Sequence, residues 1–213
     1  MNHLAHAVLA GDEPGMIVGS LLGDFWRGAL DPAWPEPLGR GVRLHRRTDV
    51  VTDSHAAVVA ARARFEPPLR RYAGILLDVW FDHVLARDYE RFAGEPLAPR
   101  LARVYAALAD VPASAPASYA LFAERTRRHD TLGRYEDPEF VESVFELIGA
   151  RLAHANPVAH AYAAVAALDA PITRAFQSLW PDLIALARTM QRGPIAATPA
   201  HTNAPLPPGE GLG

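Results

Sequence analysis

The decapeptide LLDVWFDHVL at 76–85 sets Asp78, Asp82 and His83 among large apolar side chains. A run of that kind belongs in a core, where an unpaired carboxylate is strongly disfavoured. On a helix, Asp78 and Asp82 fall about 40° apart on one face. Their like charges repel, and more so once desolvated. A divalent cation between them, with His83 beside it, would turn that repulsion into a binding site. The competing reading is a buried ion pair to an arginine such as Arg46 or Arg70.

A second set lies in HRRTDVVTD, where His45, Asp49 and Asp53 follow at i, i+4 and i+8. On a helix they form a stripe that drifts by only about 80°. Imidazole and carboxylate donors together suit Mn²⁺, Fe²⁺, Zn²⁺ or Mg²⁺. The same stripe could simply face water, because Leu44, Val51, Val58 and Phe65 make an apolar seam roughly opposite. Asp24 interrupts MIVGSLLGDFW, in which Gly19 and Gly23 permit close backbone approach. Arg27 follows one turn later, so Asp24 reads equally as a site residue or as half of a self-neutralising pair. His3 and His6 share one face of a short first helix, and His6 is a second-tier ligand candidate. No G-x-S-x-G elbow, Gly-rich phosphate loop or H-E-x-x-H is present.

These residues need a frame, and the sequence predicts a helical one. The chain has 213 residues, 50% of them hydrophobic, which suits a single compact multi-helix domain. Ala and Leu dominate, β-branched alternation is rare, and Pro or Gly punctuates segments of helical length. Helices are expected near 2–10, 15–29, 36–66, 70–92, 96–110, 115–129, 137–153 and 157–191, the last broken near Ala170-Pro171. Asp137-Pro138 and Asn156-Pro157 pair a cap residue with Pro at the first helical position. The expected domain is 1–192, and the Pro- and Gly-rich stretch 193–213 reads as a disordered tail.

Composition excludes several classes of function. The chain has no Cys, hence no disulfide framework, thiolate metal site or Cys nucleophile. No apolar run approaches the ~20 residues of a membrane span, and no basic-then-apolar leader opens the chain. The expectation is a soluble cytoplasmic protein without a membrane partner. A net charge of −3 gives no support to nucleic-acid binding. All 21 basic residues are Arg, and Arg40, Arg43, Arg46 and Arg47 crowd into GRGVRLHRR with no acid among them. That patch is either an ordinary solvated face or a bidentate anchor for an anionic partner.

Four blocks taken together carry a resemblance: MNHLAH at 1–6, GSLLGDFWRG at 19–28, GVRLHRRTDVVTD at 41–53 and RRYAGILLDVWFDHVLAR at 70–87. In order and spacing the chain resembles the acyl-carrier-protein phosphodiesterase family, densely over about its first ninety residues and more loosely beyond Glu95. That resemblance implies an all-α, HD-phosphohydrolase-like fold and hydrolysis of the phosphodiester between 4′-phosphopantetheine and the Ser of holo-acyl carrier protein. It also implies a divalent ion, Mn²⁺ in the family, held by a subset of Asp24, His45, Asp49, Asp78, Asp82 and His83. Arg27 and Arg46 would neutralise charge developing on the phosphate. Asp53 would orient water or protonate the leaving group, with Asp24 also counted among the catalytic residues. Arg40, Arg43 and Arg47 would steer the acidic carrier protein. The chain departs from the family at His3, where an aromatic residue is usual, and its His-Asp doublet runs in reverse as Asp82-His83. His3 is therefore not counted as a ligand. Two rival functions use the same residues: an HD-type nucleotide phosphohydrolase, and a non-catalytic helical binder of carrier protein.

Overall fold

The structure, a computed structural model, describes residues 2–192. The tail expected at 193–213 lies outside the described residues. Within them the fold is all-helical, as expected, with no strand. The α-helices are α1 (His3–Leu9), α2 (Pro14–Leu22), α3 (Glu36–Ser54), α4 (Ala56–Arg62), α5 (Ala73–Arg87), α6 (Tyr89–Ala93), α7 (Leu97–Ala107), α8 (Ala117–Arg128), α9 (Pro138–Arg151), α10 (Tyr162–Ala166) and α11 (Asp169–Gln191). Short 3₁₀ turns occupy Leu69–Tyr72, Gly133–Glu136 and Val158–His160. None of these helices is long and apolar enough to cross a membrane.

The decapeptide forms the middle of α5, and its apolar side chains are buried on every side. Leu76, Leu77, Phe81, Val84 and Leu85 have no exposed surface. A helix that is apolar all round belongs at the centre of a bundle. Here α5 packs against α1, α9 and α11, with Phe81 meeting Phe176 of α11 at a ring distance of 5.4 Å. The two helices at the start of the chain are fixed by specific polar contacts. Glu13 caps α2 by accepting from the amides of Gly15 (3.1 Å) and Met16 (2.8 Å), with Pro14 opening the helix. Arg100 of α7, only 3% exposed, donates to the carbonyls of Ala7 and Gly11 at 2.7 Å each. It thereby satisfies acceptors left over at the end of α1.

The closest helix pair is α2 against α3. A Cβ at Gly19 would overlap the Leu38 carbonyl, and one at Gly41 would overlap that of Met16. Only glycine allows the two backbones to come this near. The close backbone approach expected at Gly19 is met, with Gly41 as its partner, whereas Gly23 makes room for the side chain of His45.

The helix expected at 15–29 ends at Leu22, and three others are interrupted. The stretch 36–66 breaks at His55, whose backbone is extended (φ −66, ψ 128) and whose Nδ1 accepts from the Ala57 amide at 3.3 Å. His55 caps the next helix instead of continuing the last one, so the seam from Leu44 to Phe65 spans two helices. The stretch 70–92 divides into a 3₁₀ turn, α5 and α6. In 157–191 the break precedes Ala170-Pro171, because Pro171 sits in the first turn of α11, where no intrahelical N–H bond is lost.

Candidate metal centre

Three segments bring five side chains together. The first, α1, contributes His3 and His6. The turn after α2 contributes Asp24, and α3 contributes His45 and Asp49 one helical turn apart. His6 is 1% exposed and His45 4%, and their rings stack at 3.9 Å. Gly23 makes room for that stack: a Cβ there would overlap the His45 ring and lie 2.7 Å from its Cβ. His45 Nε2 lies 3.2 Å from Asp49 Oδ2 and 3.4 Å from Asp24 Oδ1. His6 Nε2 lies 3.2 Å from Asp49 Oδ1, and His3 Nε2 lies 3.3 Å from Asp24 Oδ2. Ser20 Oγ donates to the His6 carbonyl at 3.0 Å and ties α1 to α2 beneath the site.

Electrostatics set the protonation of this group. His6 is pushed down to about 4, chiefly by burial, which its contact with Asp49 only partly offsets. Burial also acts against a charged His45, but hydrogen bonds to Asp24 and Asp49 outweigh it and push His45 up to about 9. The two carboxylates respond in kind. Burial disfavours their charge, yet the imidazoles hold both well below the usual carboxylate range, Asp24 through His3 and His45, Asp49 through His45 and His6. Near neutrality the group therefore holds two carboxylates, a neutral His6 and a protonated His45.

The donor set fits a divalent ion. Ligand atoms of His6, His45 and Asp49 all lie within 4.8 Å of one another. The Nδ1 atoms of both buried imidazoles have no hydrogen-bond partner among the described residues. Two imidazole nitrogens and a carboxylate, with a second carboxylate adjoining, are donors that a borderline divalent metal accepts. The imidazoles form the floor, while Asp24 and Asp49 remain 46% and 41% exposed at the rim. The cluster therefore opens at the surface. It is separate from a groove of about 590 Å³ lined by Pro14, Val18, Pro35, Leu38 and Ala107 among others.

The remaining candidates lie elsewhere. Asp82 is fully buried and points at α1: its two oxygens accept from the amides of Leu4 (2.7 Å) and Ala5 (3.0 Å). Burial pushes its carboxyl up to about 7 against those two amides. His83 Nδ1 meets the Tyr135 carbonyl at 2.7 Å and its ring packs edge-on to Trp80. Asp78 is half-buried on α5, outside the His6–His45–Asp49 group. Asp53 is exposed and accepts from Arg62 at 2.5 Å. Arg46 donates at 3.0 Å to the carbonyl of Trp26, two residues after Asp24, and the neighbouring Arg27 is exposed. Arg40 and Arg43 both pair with Glu36, at 3.1 and 3.2 Å, and Arg47 is exposed. Sequence reasoning placed His6 in second rank and set His3 aside, yet both stand in the cluster. The available signal was their i, i+3 spacing on one face of a helix with no other polar side chain.

Comparison with known proteins follows the same residues. The family described as acyl carrier protein phosphodiesterase matches residues 1–183. A relative named acyl carrier protein phosphodiesterase, from Enterobacter sp. (strain 638), is 34% identical over 152 residues, which is 71% of this chain and 79% of that protein. A relative of the same name from Salmonella newport (strain SL254) is 34% identical over 145 residues, 68% of this chain and 75% of its own. No solved structure matches.

Proposed function

The chain belongs to the acyl carrier protein phosphodiesterase family, and from that membership we propose that it hydrolyses the phosphodiester joining 4′-phosphopantetheine to the Ser of holo-acyl carrier protein. The products are apo-carrier protein and 4′-phosphopantetheine. The observation that carries this reading is the floor of buried imidazoles under two half-exposed carboxylates, open at the surface. A phosphodiester carried on another protein's surface can reach such a site without entering a deep cavity.

His6, His45 and Asp49 would hold a divalent ion, with Asp24 beside them. Mn²⁺ is the first choice and Mg²⁺, Fe²⁺ and Zn²⁺ suit the same donors. Bound there, a divalent ion supplies Lewis acidity toward a phosphoryl oxygen and lowers the pKa of water. The chain's own groups do the rest. Asp24, at the rim with one oxygen near His3 and the other near His45, would orient the attacking water. Asp53 Oδ1 accepts from Arg62, whereas Asp24 touches both His3 and His45 of the group, so we assign that task to Asp24. Arg46, fixed by the Trp26 carbonyl, and Arg27 supply positive charge where the phosphate becomes more negative. Arg40, Arg43 and Arg47 extend that positive face along α3 toward an acidic protein substrate.

Intact-mass analysis of purified holo-acyl carrier protein tests the reading. With enzyme and Mn²⁺ the substrate should lose about 340 Da, one phosphopantetheine group, and excess EDTA should abolish the loss. An unchanged mass with folded, metal-supplied enzyme would overturn the assignment.

A further inference from the structure

Asp82 and His83 dominate the sequence but stand outside the metal cluster, and the structure gives them a different task. We propose that they are positioning residues that lock the N-terminal end of α1 and so fix His3 and His6 against Asp24, His45 and Asp49. The inference deepens the metal reading above and rests on it.

The geometry converges on one point from two routes. The residue before α1, Asn2, makes no side-chain cap for its own helix. Asp82 supplies the cap from α5, each oxygen taking one first-turn amide, Leu4 at 2.7 Å and Ala5 at 3.0 Å. These two amides lie between His3 and His6 in the chain. The second route starts from His83. A carbonyl only accepts, so the Nδ1 facing Tyr135 O carries the proton and donates at 2.7 Å. That bond anchors the 3₁₀ turn Gly133–Glu136, which packs on α5. The phenol of Tyr135 then accepts from the Asn2 side-chain amide at 2.5 Å. Adjacent residues of α5 therefore grip α1 and the residue before it.

A helix of seven residues has too few internal bonds to hold its own orientation. Its far end is fixed by Arg100, and its near end by Asp82 and Tyr135. Loss of either near-end tie frees the turn that carries both histidines. The imidazole nitrogens would then move out of reach of Asp24 and Asp49 without any change in those residues.

The test uses the full-length protein and compares Asp82→Asn and Tyr135→Phe with wild type. Tyr135→Phe keeps the packed ring and removes only the acceptor for Asn2, so it carries the test if Asp82→Asn does not fold. In metal-free protein, hydrogen exchange at the Leu4 and Ala5 amides should speed up in each variant, and the His6 ring resonances should shift. Mn²⁺ affinity should fall roughly tenfold or more, as for other residues that orient a ligand. That fall should shrink markedly when the same substitution is made in a His6→Gln background, because most of the effect passes through His6. An undiminished fall in that background would make Asp82 a direct ligand and overturn the inference. Unchanged exchange and an unmoved His6 ring would overturn it as well. If wild type binds no Mn²⁺, the metal reading fails on its own, and the metal-free exchange and ring shifts still decide this one.

Discussion

Proton release on metal binding is the sharpest consequence of the site's electrostatics. Without metal, His45 holds its proton up to about pH 9, because Asp24 and Asp49 both accept from it. At pH 7 it is therefore about 99% protonated. A metal takes the neutral imidazole, so binding must expel that proton. His6 lies near 4 and is already neutral, and both carboxylates are already ionised, so none of these contributes. Close to one proton per ion should appear in solution between pH 6.5 and 8. Apparent affinity should rise about tenfold per pH unit over that range, with about 100-fold suppression at pH 7 relative to a site with neutral His45. Titration calorimetry in two buffers of different ionisation enthalpy gives the proton count directly. His45→Gln should bring it near zero, whereas His6→Gln should leave it near one. Tight binding with no proton released by wild type would refute the protonation scheme and, with it, the place of His45 among the ligands.

Other expectations follow from the same geometry. Gly23→Ala should cost about 1–3 kcal/mol of stability through overpacking; because the new Cβ meets the His45 ring, metal affinity should drop too, and calorimetry showing native affinity would refute the packing argument. Stability of the metal-free protein should decline as pH rises from about 6.5 to 9, because over that range the unfolded state releases a proton that folded His45 keeps. On the acid side two groups oppose each other: toward pH 4 folded His6 refuses a proton that the unfolded state takes up, while folded Asp82 keeps one that the unfolded state holds less tightly. In Tm measured against pH, His45→Gln should flatten the alkaline limb. Glu36 occupies Arg40 and Arg43, so Glu36→Gln should lower KM for holo-carrier protein and Arg43→Ala should raise it. Both effects should fade toward 1 M salt, where screening acts within about 3 Å, and equal changes in kcat would speak against a docking role.

What the sequence made legible follows from which physical signals are local. The all-α frame was readable because helical periodicity, Pro breaks and caps such as Asp137 are short-range; the Glu139 amide does donate to Asp137 at 2.9 Å. The i, i+4 pairing of His45 with Asp49 was readable for the same reason. Its burial was not, because that depends on Gly19 and Gly41 drawing α2 onto α3, a contact between segments. The decapeptide shows the limit most clearly. Polar groups in an apolar helix must find partners, and the sequence signal for that is strong. Two backbone amides can take a buried carboxylate's hydrogen bonds where a cation would have been expected, and every residue presents the same amide whatever its side chain. The partners of Asp82 are the amides of Leu4 and Ala5, and that of His83 is the carbonyl of Tyr135, so no pattern of residue types could announce them. His6 is the converse case. A single imidazole on a short apolar helix carries little weight alone, and its place under Asp49 depends on where α5 and α7 hold the two ends of α1.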